Sequence, residues 1–496
     1  MKFIVRLHAE ITIKSKGVRM RYGKVLVNNL KSILRRNQLD AKVIWCWDRI
    51  EIVVAEGVAD EQAAAEHISQ LLQCVPGIAW FSRSYELPLS EADGQADFAA
   101  MVPTVLQVWG QELAHKSFAV RVKRKGTHSF RSIDLERYIG GAVLQQVAGT
   151  KVNLGRPDID VRIEVDQDIV RIFGTKQPGL GGFPLPTQET VLSLLSGGFD
   201  SSVASFQLLR RGARVHFCFF NLGGAQHETG VRQTAYYLWQ KYASSHPLKF
   251  ISIDFAPVVE EILTKVDNGL MGVVLKRQML RAAELVADKL NTAAIVTGEA
   301  LGQVSSQTLS NLSVIDEATQ KLVLRPLITM DKQEIINIAQ QIGTADFAKS
   351  MPEYCGVISN KPTVKAQRDA LLAAEAELNP ELIQQVVRQS GVLDVSTIGE
   401  QAAAAVTAVA SLTVAAAGQC EIIDIRAADE AELKPFVATD ASITVRHIPF
   451  FKLATKFAEL DPDITYLLYC EKGVMSQLQA LYLQEQGYQN VAIYKP

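Results

Sequence analysis

The chain has 496 residues, 48% of them hydrophobic and 21% charged, with a formal net charge of −2. That balance excludes a disordered, collagen-like or disulfide-framework chain and matches globular domains, of which this length holds about three or four. Met1-Lys2 leads straight into a short polar-apolar stretch without an export-signal pattern, and the longest apolar candidate, residues 402–417, is interrupted by Thr407, Ser411 and Thr413, so no bilayer span is expected and a cytoplasmic location follows by default.

Residues 1 to about 170 mix short strands with amphipathic helices. Residues 3–7 alternate apolar and charged side chains, the pattern of a half-buried strand. Residues 18–36 read as a basic helix with Val25, Leu26, Leu30, Ile33 and Leu34 on its inner face. Residues 49–54, 118–124, 158–165 and 169–173 read as further strands, the last two joined by a short turn. The small net charge hides an asymmetry. Before Asp40 stand Lys2, Arg6, Lys14, Lys16, Arg19, Arg21, Lys24, Lys31, Arg35 and Arg36, opposed by Glu10 alone. A second basic cluster is Arg121, Lys123, Arg124, Lys125 and Arg131. One such cluster fits a solvated face as well as a polyanion site; two in the same N-terminal third favour nucleic acid.

Residues 174–186 are rich in Gly and Pro and read as a linker. From Thr190 onward strands (191–195, 214–220, 248–253, 293–297) alternate with helices (230–244, 276–290), the mark of a parallel sheet; residues 366–389 read as one further helix. Between the first of these strands and a helix lies Ser196-Gly197-Gly198-Phe199-Asp200-Ser201. A strand, a Gly-Gly turn and a helix start make an anion cradle: the glycines let backbone approach a ligand, and the amides and the Ser196, Ser201 and Ser202 hydroxyls can hold phosphate oxygens. No Gly-Lys-Ser/Thr follows, which separates this turn from the common nucleotide P-loop. The hexapeptide resembles instead the PP-loop of ATP pyrophosphatases, enzymes that activate a carbonyl by adenylation and release pyrophosphate.

In a parallel sheet ligands sit beyond the carboxyl ends of the strands. Gly298-Glu299, the loop carrying Gln303, Ser305, Ser306 and Gln307, and Arg325 fall there. Asp331-Lys332-Gln333-Glu334 matches a capping box with Asp331 as the cap. Lys332 then lies against the helix dipole, which a nearby anion would relieve; Lys276 and Arg277, read as opening another helix, invite the same argument.

The six cysteines, Cys46, Cys74, Cys218, Cys355, Cys420 and Cys470, form no C-x-x-C pair, so no structural zinc and no tightly protein-bound metal is expected. Cys46, Cys74, Cys218 and Cys420 lie in or beside apolar segments and read as core. Cys355 lies on a Pro/Gly-broken loop, a setting that by itself leaves a functional thiol and a bystander equally open. A small αβ unit closes the chain, with strands 421–425 and 465–469 and a helix 477–486. Cys470 ends the second strand and heads a loop leading into that helix, where amides and Lys472 favour an anionic sulfur, thiolate or persulfide alike. With Asp424-Ile425-Arg426 at the end of the unit's first strand, the arrangement resembles a rhodanese domain.

A basic N-terminal region, a PP-loop domain and a rhodanese unit in this order resemble the tRNA 4-thiouridine synthetase (tRNA sulfurtransferase) family, which also serves thiamine thiazole synthesis. The resemblance covers nearly the whole chain and includes residues 120–124, 132–138, 218–224, 296–307 and 351–359. It implies an α/β multidomain protein: a ferredoxin-like domain (1–60) and a THUMP domain (61–174) that grip tRNA, an α+β RNA-binding region; a parallel-sheet PP-loop ATP pyrophosphatase domain (175–400); a linker (401–417); and a rhodanese-like α/β domain (418–496). It implies ATP and Mg²⁺ as cofactors, and as partners tRNA, a cysteine desulfurase, the sulfur carrier protein of thiazole synthesis and a reductant, with no membrane partner and a homodimer left open. Carried over residue by residue, Leu194, Leu195, Ser196, Gly197, Gly198, Asp200, Ser201, Lys276, Gly298 and Gln307 are expected at ATP, and Asp200 and Lys332 in adenylation. Cys470 is expected to carry the persulfide and Cys355 to form a disulfide with it. Lys14, Lys16, Arg19, Arg21, Arg121, Lys123, Arg124 and Lys125 are expected at tRNA. Two rivals stand beside this reading. An amide-forming PP-loop synthetase explains the hexapeptide but not Cys470 or the basic third; a non-catalytic tRNA-binding persulfide relay explains both ends but leaves the PP-loop idle.

Overall fold

The computed structural model describes residues 1–55, 60–92, 95–222, 224–349, 351, 361–398, 411–412, 419–426, 431–432, 435–436, 438, 443–470 and 474–494. Cys355 and most of the Ala-rich joint lie outside the described residues. The chain divides into two compact units, Met1–Pro184 and Leu185–Pro496.

The first unit is built on one nine-stranded sheet. Its strands run in the order Ala41–Cys46, Arg49–Val54, Lys2–Leu7, Ile78–Pro88, Ile169–Phe173, Ile159–Asp166, Ser117–Lys125 and Lys151–Val152, with Gln177–Pro178 added beside Ile78–Pro88. The 11-residue strand Ile78–Pro88 joins two halves, pairing antiparallel with Lys2–Leu7 on one side and with Ile169–Phe173 on the other. Each half keeps its own core. Phe3, Leu26, Leu30, Ile50, Ile68 and Phe81 fill one; Val105, Trp109, Phe118, Leu135, Ile163 and Ile172 fill the other. Ion pairs stitch the shared sheet: Lys2 bridges Glu51 and Glu86, each at 2.8 Å, and Arg171 holds Glu86 at 2.7 Å and Asp166 at 3.2 Å. The basic helix runs Lys16–Arg36 and buries Leu26, Leu30, Ile33 and Leu34, as its 3.6-residue period requires.

The Gly/Pro-rich stretch read as a linker is packed structure instead. Gln177–Pro178 pairs with Ile78–Pro88, the Gly181 amide donates to the Ile78 carbonyl at 2.8 Å, and Phe183 is buried against Tyr22. The glycines mark close backbone approach: a Cβ on Gly179 would lie 2.5 Å from the Ile78 carbonyl oxygen.

The second unit holds two sheets. The larger has the order Leu322–Leu324, Ala294–Val296, Val191–Leu194, Val215–Asn221, Lys249–Asp254 and Gly391–Asp394, parallel except for the antiparallel last strand. The sheet's first strand in chain order, Val191–Leu194, is central: its successor Val215–Asn221 lies on one side and Ala294–Val296 on the other. This reversal is the topological switch point of the sheet, and the hexapeptide follows directly from it. The smaller sheet, entirely parallel, has the order Ser411–Leu412, Val491–Tyr494, Thr465–Tyr469, Cys420–Asp424 and Val445–His447.

Three readings need correction. The helix expected at 276–290 runs Met271–Lys289, because Val273, Val274 and Leu275 are buried and belong to its inner face. Lys276 therefore lies in its second turn, and the dipole argument does not apply to Lys276 or Arg277. Arg277 is 3% exposed and is bound by Glu375 at 2.9 Å and by the Val314 carbonyl. The single helix expected at 366–389 is two, Arg368–Ala376 and Leu382–Arg388, with Pro380 in the gap. Of the four cysteines read as core, only Cys218 is fully buried; Cys46, Cys74 and Cys420 are partly exposed. No helix among the described residues is long and apolar enough to cross a membrane.

Two histidines, His216 on the strand Val215–Asn221 and His246 in the turn before Lys249–Asp254, give this unit an acid limit. Burial, then the Arg214 and Lys249 charges, lowers His216 to about 4; burial and Arg214 lower His246 likewise to about 4. His216 Nδ1 accepts the Lys249 amide at 3.1 Å, which requires the unprotonated nitrogen. An unfolded chain protonates both rings from about pH 6.5 downward, the folded one only near 4, so between these values the unfolded state binds more protons and stability falls with falling pH. The urea midpoint of this unit's transition is expected to be lower at pH 5 than at pH 7.5, and the difference should shrink in the His216→Gln, His246→Gln double variant.

Candidate active site

The strand Val191–Leu194 ends in an apolar anchor, with Leu195 2% exposed and its amide bonded to the Cys218 carbonyl at 2.9 Å. The chain then turns at Gly197, whose φ of +83° only glycine adopts without strain. The helix Phe199–Arg210 starts with Gly198 as a cap that has no side chain. Its first amides therefore point out of the sheet without an internal acceptor, at the positive end of the helix. Hydroxyls hold the turn from within. Ser201 Oγ accepts the Ser196 amide at 3.1 Å, Ser202 Oγ donates to the Gly198 carbonyl at 2.8 Å, and Ser193 and Ser205 pair at 2.8 Å.

Gly298, just past the neighbouring strand Ala294–Val296, approaches so closely that a Cβ on it would lie 2.7–2.9 Å from the Asp200 and Ser201 backbone. Gln307 is 8% exposed; its Oε1 accepts the Ala300 amide at 3.3 Å and its carbonyl accepts the Gly302 amide at 2.9 Å, which shapes the loop between Gly298 and Gln303.

Asp200 lies in the first turn of the cradle helix, and Lys332 opens the helix Lys332–Ile342. The capping box there is complete, with Asp331 accepting the Glu334 amide at 2.8 Å and Glu334 accepting the Asp331 amide at 3.0 Å. Lys332 Nζ donates to both Asp200 oxygens at 2.8 and 3.0 Å, so the anion that its position calls for is Asp200, 132 residues away in the chain. Gln303 Nε2 donates to Asp200 Oδ2 at 3.0 Å, a partner the sequence marks only as a polar loop residue.

Lys276 is tied elsewhere, to Glu299 at 2.7 Å. Glu299 is 6% exposed and also accepts from Arg325 at 2.8 Å and Thr297 at 3.0 Å. Burial alone would raise its carboxyl; the Lys276 and Arg325 charges overrule that and hold it down at about 2. The role of Glu299 as the clamp on Lys276 was not legible in the sequence, because its two cationic partners come from segments 23 and 26 residues away.

In the smaller sheet Cys470 ends the strand Thr465–Tyr469. Its Sγ accepts the Ser476 amide at 3.2 Å and lies 3.4 Å from Ser476 Oγ, in the first turn of the helix Val474–Glu485. A helix-start amide directed at sulfur favours its anionic form. Beneath it Asp424 and Arg426, each 4% exposed, form a two-pronged pair at 2.6 and 2.9 Å, with Arg426 5.2 Å from the Tyr469 ring centre.

In the first unit the basic residues are arranged around aromatics. Arg19 and Lys16 lie 4.7 and 5.2 Å from the centre of Trp47, which is 59% exposed at the tip of the hairpin between Ala41–Cys46 and Arg49–Val54. Lys14 lies 6.0 Å from Phe183 and Arg21 5.4 Å from Tyr22. On the strand Ser117–Lys125 the two-residue period puts Arg121, Lys123 and Lys125 on one exposed face and turns Arg124 to Phe130 at 5.3 Å. Arg121 also donates to the Leu154 carbonyl at 2.6 Å and to Asp160 at 3.3 Å. Trp47 was missed in the sequence; its signal was a large aromatic in a turn, where small polar residues are usual.

Four family models match the chain: the ThiI ferredoxin-like domain over residues 2–82, the THUMP domain over 96–173, "Thiamine biosynthesis protein (ThiI)" over 186–379 and the rhodanese-like domain over 410–495. The tRNA sulfurtransferases of Shewanella loihica and Shewanella baltica are 51% and 52% identical to it over 496 residues, 100% of each chain. The chain belongs to the tRNA sulfurtransferase family. Family membership makes it an enzyme. A solved 4-thiouridine synthetase, in complex with RNA and with bound ATP, matches it with a TM-score of 0.68 at 25% identity, covering 79% of this chain and 99% of that one. PH1313 of Pyrococcus horikoshii shares the fold, with a TM-score of 0.51 at 18% identity, covering 69% of this chain and 100% of that one.

The cradle glycines of this sulfurtransferase are not equivalent. Gly197→Ala is expected to cost about 1–2 kcal/mol of stability for the left-handed backbone. Gly298→Ala forces backbone against backbone and is expected to lower the melting temperature at least as far. Gly198→Ala, with an extended backbone and no neighbour nearer than Ser196 Oγ at 3.7 Å, is expected to lower it least. Melting curves of the three variants check this order.

Proposed function

We propose that the chain is an ATP-dependent sulfurtransferase that adenylates the uridine at position 8 of tRNA and replaces its O4 with sulfur carried as a persulfide on Cys470. The product is 4-thiouridine. The observation that carries this reading is the Lys332–Asp200 pair at the mouth of an uncapped glycine cradle, in a chain whose other site presents a sulfur to a helix start. The match to a 4-thiouridine synthetase solved with RNA and ATP supports it.

The chemistry fits the residues present. A uracil carbonyl oxygen is a poor leaving group. Its attack on the α-phosphorus of ATP forms a C4–O–P adenylate and expels pyrophosphate, so the oxygen can then depart with AMP. The amides of Gly198, Phe199 and Asp200, the Ser196 and Ser201 hydroxyls, and Lys276 and Lys332 suit a polyphosphate; Leu194, Leu195, Gly298 and Gln307 frame the nucleotide. Asp200 is the carboxylate nearest the cradle and would hold the Mg²⁺ that accompanies ATP. Glu299 holds Lys276 in place. In the second half, the terminal persulfide sulfur bonds to C4 and AMP leaves. The two electrons that release that sulfur come from the Cys355 thiolate, which forms a disulfide with Cys470, and an external reductant reopens it. A cysteine desulfurase reloads Cys470. The same persulfide would serve the sulfur carrier protein of thiamine thiazole synthesis.

Incubation with tRNA, ATP, cysteine and a desulfurase, followed by nucleoside digestion, is expected to yield 4-thiouridine, and pyrophosphate release should depend on tRNA. Cys470→Ser and Asp200→Ala are each expected to abolish the thiolated nucleoside, with pyrophosphate release surviving in the first and lost in the second. Pyrophosphate release driven by a small carboxylate in place of tRNA would favour an amide synthetase, and full thiolation by Cys470→Ser would remove the C-terminal domain from the reaction.

For tRNA binding we assign Lys14, Lys16, Arg19, Arg21, Arg121, Lys123, Arg124 and Lys125 to phosphates and Trp47 to a stacked base. Each Lys→Ala change should weaken binding and flatten the log–log salt dependence by somewhat under one unit, because one phosphate keeps its counterions. Trp47→Ala should weaken binding by about 1–3 kcal/mol with the salt slope unchanged, measured by titration at several salt concentrations.

A further inference from the structure

Within the second unit the helix Gly224–Tyr242 contacts both the cradle and the C-terminal domain. Its early turns face the cradle. His227 Nε2 is 3.2 Å from the Ser196 carbonyl, and a Cβ on Gly230 would collide with Met351, whose side chain in turn lies against Gly197. Its later turns face the C-terminal domain. Gln233 Oε1 accepts from Gln479 Nε2 at 3.3 Å, and the two amides are 5% and 6% exposed. Tyr237, one turn further on the same face, has its ring 5.1 Å from Phe347 of the short helix Ala345–Lys349. Phe347 is 2% exposed and meets Phe450, the first residue of the C-terminal domain's helix Phe450–Phe457, at 4.6 Å. Gln479 lies one turn beyond Ser476, whose amide holds the Cys470 sulfur.

These contacts have no part in either chemical half of the reaction. We propose that Gln233, Tyr237 and Phe347 form a docking seat, and Phe450 and Gln479 its plug, which together seat the sulfur-loaded C-terminal domain on the catalytic domain. The physical case is the burial of two primary amides. An interface held by apolar surface alone could slide; a buried amide that loses its partner is left unsatisfied, so the Gln233–Gln479 bond fixes one register. About 9 Å of helix axis separates His227 from Gln233 at 1.5 Å per residue, so one rigid rod sets the position of the seat relative to the cradle. On the C-terminal side, Gln479 shares a helix with the amide that holds the sulfur. The seat residues are positioning residues, and the inference rests on the sulfur route through Cys470 proposed above.

The test uses the full-length chain and three readouts: desulfurase-dependent labelling of Cys470 with ³⁵S, tRNA-dependent pyrophosphate release, and 4-thiouridine formed. Gln233→Glu and Gln479→Lys each bury an unpaired charge in the seat. Each is expected to lower 4-thiouridine formation by about tenfold or more, within the range of coupling between contacting residues, while labelling and pyrophosphate release stay near those of the parent chain. The double variant pairs the two charges and is expected to recover most of the lost rate. Unchanged thiolation in both single variants would overturn the seat. So would a parallel loss of all three readouts, which marks fold damage, or a double variant no better than the singles. Cys470→Ser in the same assay separates the two claims: if it still thiolates fully, the sulfur route itself fails, whereas its inactivity beside fully active seat variants rejects the seat alone.

Discussion

A helix that starts without a cap at the switch point of a parallel sheet is the constraint from which the rest of the active site follows. Among the described residues the amides of Phe199 and its neighbours have no partner of their own, which is tolerable only where water or an anion can reach them. The strand order leaves that opening by sending the chain to opposite sides of Val191–Leu194. The residues of the turn itself keep their side chains out of it. Gly197 turns where a β-carbon would strain, Gly298 leaves room for the Asp200 backbone, and the serine hydroxyls are turned inward to brace the loop. The charges then fall into two sets. Lys332 is offset by an accessible Asp200, and Lys276 by a buried Glu299 that two cations keep ionised. The first pair can exchange partners with an incoming ligand at little desolvation cost; the second is fixed.

The sulfur site uses the same physics at smaller scale. A strand ends, a helix begins, and the first-turn amide of Ser476 is directed at the Cys470 sulfur. The two turns belong to sheets of different size in the second unit, and the helix Gly224–Tyr242 contacts elements of both domains. In the first unit a continuous sheet carries two hydrophobic cores, and the halves are locked by the Lys2, Glu51, Glu86 and Arg171 ion pairs rather than by a shared core. The cations that remain at the surface are gathered around Trp47, Tyr22, Phe130 and Phe183, a combination of charge and flat apolar surface that suits a polyanion bearing bases.

Much of this was legible in the chain. The Ser196–Ser201 hexapeptide, the capping box at Asp331, the basic helix, the Cys470 loop and the Asp424–Arg426 end of its sheet are local patterns, and local hydrogen bonding enforces each of them. Readings failed where a distant segment outweighed local preference. The Gly/Pro stretch before the second unit looked unstructured because nothing nearby could pair with it; Ile78–Pro88 does. Lys276 looked like a helix start because the turn before it is apolar, and that turn is apolar because it is buried. The partners of Trp47 and Gln303 were not legible, because their neighbours in space come from other elements.

The sequence by itself determined the order of the domains, the two strand-to-helix junctions at Ser196–Ser201 and Cys470, and the distribution of basic charge, because short-range sterics and periodic burial act within a few residues. Only the tertiary structure decided which polar groups pair. The Asp200–Lys332, Lys276–Glu299 and Gln233–Gln479 contacts span 132, 23 and 246 residues, and no local rule selects among partners so far apart. Strand order made that choice: parallel crossovers return the chain to the same edge of the sheet each time, so residues at the carboxyl ends of separate strands converge on one site.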